Sequence, residues 1–85
     1  MTSGDIIYIY TNIRGFKMTY SYNKLWKLLI DNNMKKKDLM ERANLTSTTI
    51  AKMGKSEPVS LEALARICVA LHCNIGDIIE ILIDA

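Results

Sequence analysis

The sequence is poor in residues that cross-link chains, bind metals or break helices: two cysteines, one histidine, one proline and four glycines in 85 residues. Two cysteines give no basis for a disulfide scaffold, so a reducing cytoplasm is the expected location. A closed zinc site uses four protein ligands, more than these cysteines and the histidine supply. No apolar run approaches the ~20 residues of a transmembrane helix, because Glu80 interrupts the longest one, at residues 78–83.

Residues suited to catalysis are equally sparse. His72 is the only histidine, and no acidic residue is placed to orient it beside a nucleophile. No glycine-rich phosphate loop is present. Cys68, His72 and Cys73 form a C-x3-H-C pattern, but Cys68 belongs to an apolar stripe, which favours a buried thiol over a metal ligand. We therefore predict a protein that is not an enzyme and has no cofactor, metal or small-molecule substrate.

The sequence contains enough hydrophobic residues for one core, and its charge is unevenly distributed along the chain. Hydrophobic residues make up 49% of the chain, as expected of one small globular domain. The net charge is +1 for residues 1–17, +4 for residues 18–57 and −3 for residues 58–85. Taken alone, this charge pattern is explained by lysines on an ordinary solvent-exposed surface, without any binding partner. Together with the helix pattern, the positive middle of the chain indicates a partner that carries phosphates.

Apolar residues recur at the three- and four-residue spacing of amphipathic helices from residue 22 to residue 83. The spacing predicts five helices, at residues 22–31, 36–43, 47–53, 61–71 and 75–83.

Residues that favour helix caps precede several of these helices. Ser21 is expected to cap the first helix and Ser60 the fourth. Asn74 and Asp77 resemble a capping pair for the fifth. The inner face of the fourth helix is predicted to consist of Leu61, Leu64, Ala65, Cys68 and Leu71.

A short turn around Asn44 separates the second and third helices. Asn44 suits the left-handed conformation that ends a helix, because its short side chain tolerates it. Thr46 then caps the third helix by accepting a bond from a free backbone N–H. With Ile50 and Met53 facing inward, this helix keeps a polar outer face, which suits the major groove of DNA.

Residues 1–17 follow a different pattern. Residues 6–11 are β-branched and aromatic and lie between Gly4 and Gly15, which predicts a strand. A single strand needs a partner, and one interpretation pairs it with the same strand of a second chain. The other interpretation treats residues 1–17 as a poorly ordered leader before a domain at 18–85.

The spacing over residues 22–83 resembles that of the Cro/repressor-type (XRE-type) helix-turn-helix DNA-binding proteins. Residues 34–39 carry the family's apolar residue, polar residues and Leu, and Asn44 stands where the family usually has Gly. Residues 46–53 match the recognition helix, and residues 58–71 and 76–79 match the last two helices. The resemblance implies an all-α, five-helix lambda-repressor-like domain, with a short N-terminal β-strand as an option.

The resemblance also implies that the third helix enters the major groove of double-stranded DNA. Hydroxyls bond with several bases, an alanine methyl contacts thymine, and a lysine reaches guanine acceptors. The residues expected to face base edges are Ser47, Thr48, Ala51 and Lys52. Those expected to face phosphates are Lys35, Lys36, Lys37, Thr46 and Lys55. Because this helix lacks Arg, Asn and Gln, we expect modest direct readout of base edges and a larger share of the recognition from backbone contacts and DNA shape.

Two residues depart from the family pattern. Met40 stands where the family often has Ala, at the crossing of the two motif helices, and its flexible side chain can bend around the contact. Lys36 stands where many members have Gln, and a lysine there favours phosphate as a point charge. Both departures leave the fold prediction intact and weaken any transfer of base specificity.

The leading interpretation is a homodimeric transcriptional regulator that represses by occupying a promoter. The dimer contact is expected on the fifth helix, through Ile79, Leu82 or Ile83, or on the N-terminal strand. The alternative is a protein-interaction module, such as an antitoxin or an accessory factor of a mobile element. Salt-sensitive DNA binding favours the first, and tight co-purification with another protein favours the second.

Overall fold

Four short helices and a two-stranded antiparallel sheet make up residues 17–84, the part of the chain that the computed structural model describes. The helices at 36–43, 47–53 and 61–71 are confirmed to within one residue at each end. Within residues 17–84, none of the helices has the length and apolar composition needed to cross a membrane. In chain order the elements are β1 (Lys17–Ser21), α1 (Asn23–Asp31), α2 (Lys36–Arg42), α3 (Ser47–Gly54), α4 (Leu61–Leu71), a 3₁₀ turn (Ile75–Asp77) and β2 (Glu80–Asp84).

The prediction of a fifth helix at residues 75–83 is wrong. One 3₁₀ turn at Ile75–Asp77 is followed by β2, which pairs with β1 in a register that sets Lys17 opposite Asp84 and Ser21 opposite Glu80. The isoleucine-rich sequence favours an extended chain once a partner strand is available. The domain is therefore mostly helical with a small sheet. The strand predicted at residues 6–11 lies outside the described residues.

The core is built from one to three side chains of each helix, together with side chains from the segments between the helices. Tyr22, at the start of α1, is buried, and its hydroxyl donates to the backbone carbonyl of Glu57 at 2.7 Å. This bond joins α1 to the segment that follows α3. The most deeply buried side chains are Tyr22, Leu25, Leu39, Met53, Ile67 and Ile78.

The inner face predicted for α4 is only partly correct. Leu64 is buried as expected, and Cys68 and Leu71 pack against the core at half-buried positions. Leu61, however, is 70% exposed and Ala65 is exposed as well, while Ala63 and Ile67 are buried instead. The helix is apolar on more than one side, so apolar spacing alone does not determine which side faces the core.

All four helices end in the same backbone arrangement, with a left-handed residue that is not glycine. In each case the next residue donates its N–H to a carbonyl five positions back, as Leu45 does to Met40 at 2.9 Å. This arrangement satisfies carbonyls that the helix leaves without partners. The left-handed residues are Asn33, Asn44, Ser56 and His72, with φ of 53°, 54°, 59° and 54°.

Candidate nucleic-acid interface

The turn between α2 and α3 is held by backbone bonds and by a buried leucine. Asn44 has φ of 54°, which confirms the predicted left-handed position, and its N–H donates to Glu41 at 3.4 Å. Leu45 follows with its side chain buried in the core. The chain therefore leaves α2 in a fixed direction, which sets where α3 begins.

Helix α3 begins with the predicted side-chain cap. The Thr46 hydroxyl oxygen accepts from the Thr49 backbone N–H at 3.2 Å, and the two hydroxyls lie 3.0 Å apart. Thr46 and Thr49 therefore direct their hydroxyls at each other. Ser47 and Thr48, which lie between Thr46 and Thr49 in the sequence, are exposed on the first turn of α3.

The four residues predicted to face base edges lie on one exposed side of α3. At 100° per residue, positions 47, 48, 51 and 52 fall within an arc of about 140°, and Lys55, just beyond the helix, falls inside the same arc. The opposite side of α3 holds Met53, which is buried, and Ile50, which packs against the core. The structure thus gathers Ser47, Thr48, Ala51 and Lys52 on a surface open to solvent.

The lysines predicted to face phosphates have different surroundings. Lys35, Lys37 and Lys55 are exposed. Lys36 is also exposed, but its ammonium nitrogen lies 4.4 Å from the centroid of the Trp26 ring, a cation–π contact. The same nitrogen is close to the end of α3, since a Cβ added to Gly54 would lie 3.9 Å from it. Lys36 therefore connects α1 to α3, which the sequence did not indicate.

The start of α2 is capped by a carboxylate. The Lys35 backbone N–H donates to Asp38 Oδ2 at 2.8 Å. A negative charge in the first turn of a helix is favourable because the N-terminus carries partial positive charge. Asp38 is acidic within the basic middle of the chain, and this cap gives it a structural role.

Arg66 contacts the turn from the neighbouring helix. Its guanidinium, on α4, donates to the backbone carbonyl of Asn44 at 3.3 Å and pairs with Glu62 at 2.6 Å. The side chain of Arg66 is about half exposed, so this pair is a surface interaction of modest strength. The sequence did not predict the contact of Arg66 with Asn44. The only hint of a special role for Arg66 was that it is the single basic residue in the otherwise acidic segment 58–85.

The C-x3-H-C pattern was the one candidate for metal ligands in the sequence. Cys68 and Cys73 are free, half-buried thiols, and burial raises the pKa of the Cys73 thiol. Among residues 17–84, no three His, Cys, Asp or Glu side chains come together in a way that could hold a metal ion. The described surface offers hydrogen-bonding groups and positive charge around α3, an arrangement suited to non-covalent recognition.

The comparisons with known proteins agree with this geometry. The family profile of the Cro/C1-type helix-turn-helix DNA-binding domain matches residues 24–82. Among solved structures, the crystal structure of the transcriptional regulator VanUg, Form II, is similar, with 55% sequence identity and a TM-score of 0.75. That match covers 79% of this chain and 89% of the other. The comparison with curated proteins gave no significant match.

Proposed function

Because the chain belongs to the Cro/C1-type helix-turn-helix DNA-binding family, we propose that it is a transcriptional regulator that binds a specific operator sequence. The observation that carries this proposal is the outer side of α3, where Ser47, Thr48, Ala51 and Lys52 are all exposed. We further propose that it represses transcription. A domain docked on promoter DNA blocks access to that DNA by its volume alone, so repression requires no further activity.

Docking places α3 in the major groove, with its first turns against the base edges. The hydroxyls of Ser47 and Thr48 bond with several base types, Ala51 contacts a thymine methyl, and Lys52 reaches guanine acceptors. None of these side chains makes the bidentate contacts of Arg, Asn or Gln. Much of the specificity therefore comes from DNA shape and deformability.

Phosphate contacts fix the domain on the duplex. Lys35 and Lys37, at the start of α2, and Lys55, just after α3, are exposed, and we assign their charges to phosphates beside the groove. Lys36 is the remaining phosphate candidate, and its ammonium group lies over the Trp26 ring in the domain without DNA. The N-terminus of α3, at Thr46, adds the partial positive charge of a helix end.

A homodimer fits this mode of binding. Two copies related by a two-fold axis present two α3 helices to half-sites about 34–36 Å apart, one helical turn of DNA. A palindromic operator is the expected target, because the symmetry of the site follows that of the dimer.

The test is a selection of bound sequences from random DNA, followed by a salt titration with the selected site. We expect an enriched palindrome and an affinity that falls steeply as salt concentration rises. The matched control is Lys52→Ala with the same DNA, which should bind with reduced sequence preference. No enrichment, together with salt-insensitive affinity, would contradict DNA recognition and favour a protein-interaction module.

A further inference from the structure

Helix α4 has two apolar stripes, and only one of them faces the core. Ala63, Leu64 and Ile67 form the buried stripe. A second stripe runs along the outer side at four-residue spacing, through Leu61 and Val69, which are 70% and 76% exposed, with Ala65 between them. A helix that is apolar on both sides is expected to be covered on both sides.

The outer stripe continues onto the neighbouring elements. A groove of about 410 Å³ lies between it and Ile75 of the 3₁₀ turn. An adjoining groove of about 270 Å³ shares Leu61 and Ile75 and reaches Ile81 of β2. We call this continuous surface the α4 face, defined by Leu61, Ala65, Val69, Ile75 and Ile81. Contiguous exposed apolar surface of this kind marks an interaction site.

The arrangement of residues on the α4 face is self-complementary. Ala65 lies midway between Leu61 and Val69 in one helical row. A two-fold axis at Ala65 sets Leu61 of one copy against Val69 of the other, and the small alanine side chain allows the two helices to approach closely. Such an isologous contact uses the same patch on both copies.

Charge on one edge of the α4 face supports the same arrangement. Glu62 and Arg66 lie one helical turn apart on the same flank of the outer stripe, and both are exposed. In an antiparallel pair of α4 helices, the two-fold axis brings these flanks together. The two side chains already pair within each copy at 2.6 Å, and the axis brings Glu62 of one copy near Arg66 of the other, so the two pairs join into one network of unlike charges at the edge of the contact.

We infer that the α4 face binds the α4 face of a second copy of this chain, about a two-fold axis near Ala65. The inference rests on the proposed function, because it identifies the surface that forms the proposed homodimer. It differs from the contacts expected from the sequence, which lay on a fifth helix that does not form or on the N-terminal strand.

Sedimentation equilibrium of the full chain without DNA tests the interface. Val69→Lys places a charge on the α4 face and should weaken dimerisation at least about tenfold, since burying an unpaired charge costs well over 1.4 kcal/mol. Leu82→Lys is the matched control, because Leu82 is 48% exposed and lies on the opposite face of β2 from Ile81. It should dimerise like the unmodified chain. Circular dichroism and thermal unfolding establish that both variants are folded.

A cysteine at the axis gives an independent readout. Ala65→Cys, in a background of Cys68→Ser and Cys73→Ser, should form an intermolecular disulfide on mild oxidation, because a residue beside a two-fold axis lies close to its own copy. Lys55→Cys in the same background is the control and should remain unlinked. A chain that begins at Met18, with its helix content checked by circular dichroism because it lacks the first residue of β1, should dimerise normally.

Three results would overturn the inference: a monomeric unmodified chain at all concentrations, a Val69→Lys variant that dimerises normally, or a folded but monomeric chain beginning at Met18. The last would assign the contact to the N-terminal segment. Failure of the proposed function has a different signature, because a dimer that binds no DNA in the salt titration leaves the α4 interface standing.

Discussion

The ammonium group of Lys36 lies over the ring of Trp26, 4.4 Å from its centroid, and next to the last residue of α3. Trp26 belongs to α1, and its ring also faces Tyr22, with ring centroids 6.5 Å apart. A lysine that the sequence assigns to DNA thus takes part in the contact between three helices. Its contribution to stability can be separated from its contribution to DNA binding.

Replacing Lys36 with Ala is expected to lower the free energy of unfolding by about 0.5–1 kcal/mol, because an exposed cation–π contact is worth that much. The measurement is urea unfolding followed by tryptophan fluorescence and circular dichroism. Lys37→Ala, on the same helix, serves as the control and should change stability little. Equal stability of the two variants would show that the contact with Trp26 adds nothing in solution.

Replacing Lys37 or Lys55 with Ala should make DNA binding less sensitive to salt. Each lysine that neutralises a phosphate contributes roughly one unit to the slope of log affinity against log salt concentration. The affinity should fall by a similar factor for the selected operator and for unrelated DNA. An unchanged slope for both variants would exclude these two lysines as phosphate ligands.

Replacing Thr48 with Ala should act differently, by reducing discrimination between base pairs. Loss of a single hydroxyl contact to a base edge is expected to cost about 0.5–1.5 kcal/mol on the selected operator and far less on unrelated DNA. Competition binding with single base-pair variants of the operator measures this difference. An equal loss of affinity on every sequence would contradict a base-edge role for Thr48.

Ionisation of the Tyr22 hydroxyl should lower the free energy of unfolding at high pH. Burial raises the pKa of its hydroxyl above the ordinary value of 10.0, so the folded state keeps its proton where the unfolded state loses it. The stabilisation is therefore complete below about pH 10 and is lost as pH rises through the folded-state pKa.

Tyr22→Phe isolates this effect. The variant should lose about 0.5–1.5 kcal/mol at neutral pH, because the hydrogen bond to the Glu57 carbonyl is absent. Its stability should also decline less steeply than that of the unmodified chain above pH 10. Parallel decline of the two proteins in urea unfolding at several pH values would argue against a raised pKa.

His72→Gly is expected to stabilise the fold by up to about 1 kcal/mol. His72 has φ of 54°, a conformation that costs most L-residues about 1–2 kcal/mol, part of which is offset by the greater flexibility of unfolded glycine. Asn44→Gly provides the comparison and should change stability less, because asparagine tolerates this conformation. A larger gain at Asn44 than at His72, measured by thermal unfolding, would contradict this account.

The sequence was sufficient to predict the elements whose ends depend on local signals. Asn44 and Thr46 define the turn between α2 and α3, and Ser60 caps α4 by accepting from the Ala63 N–H at 3.1 Å. The predicted capping bond between the Asn74 N–H and Asp77 is also present, at 2.9 Å. These signals act over three or four residues, so they can be read without knowledge of the fold.

Features that depend on distant parts of the chain could not be predicted in this way. Residues 80–84 become a strand because β1 supplies a partner 59 to 67 positions earlier, while the apolar spacing there also fits a helix. The side of α4 that faces the core was ambiguous because Leu61 and Val69 form a second stripe. At the candidate interface, the exposed side of α3 followed from helix geometry, but the contacts of Lys36 with Trp26 and of Arg66 with Asn44 required the tertiary structure.

The two-stranded ribbon of β1 and β2 joins the two ends of the described chain, with Lys17 opposite Asp84 in the register, and this affects the order in which the domain folds. Helices of eight or so residues form from neighbours in the chain, whereas this ribbon must close a loop that contains all four of them, at an entropic cost that increases with loop length. The ribbon is therefore expected to join last during folding and to open first during unfolding. Amide hydrogens of β1 and β2 should exchange with solvent faster than those of α4, through openings that leave the helices intact.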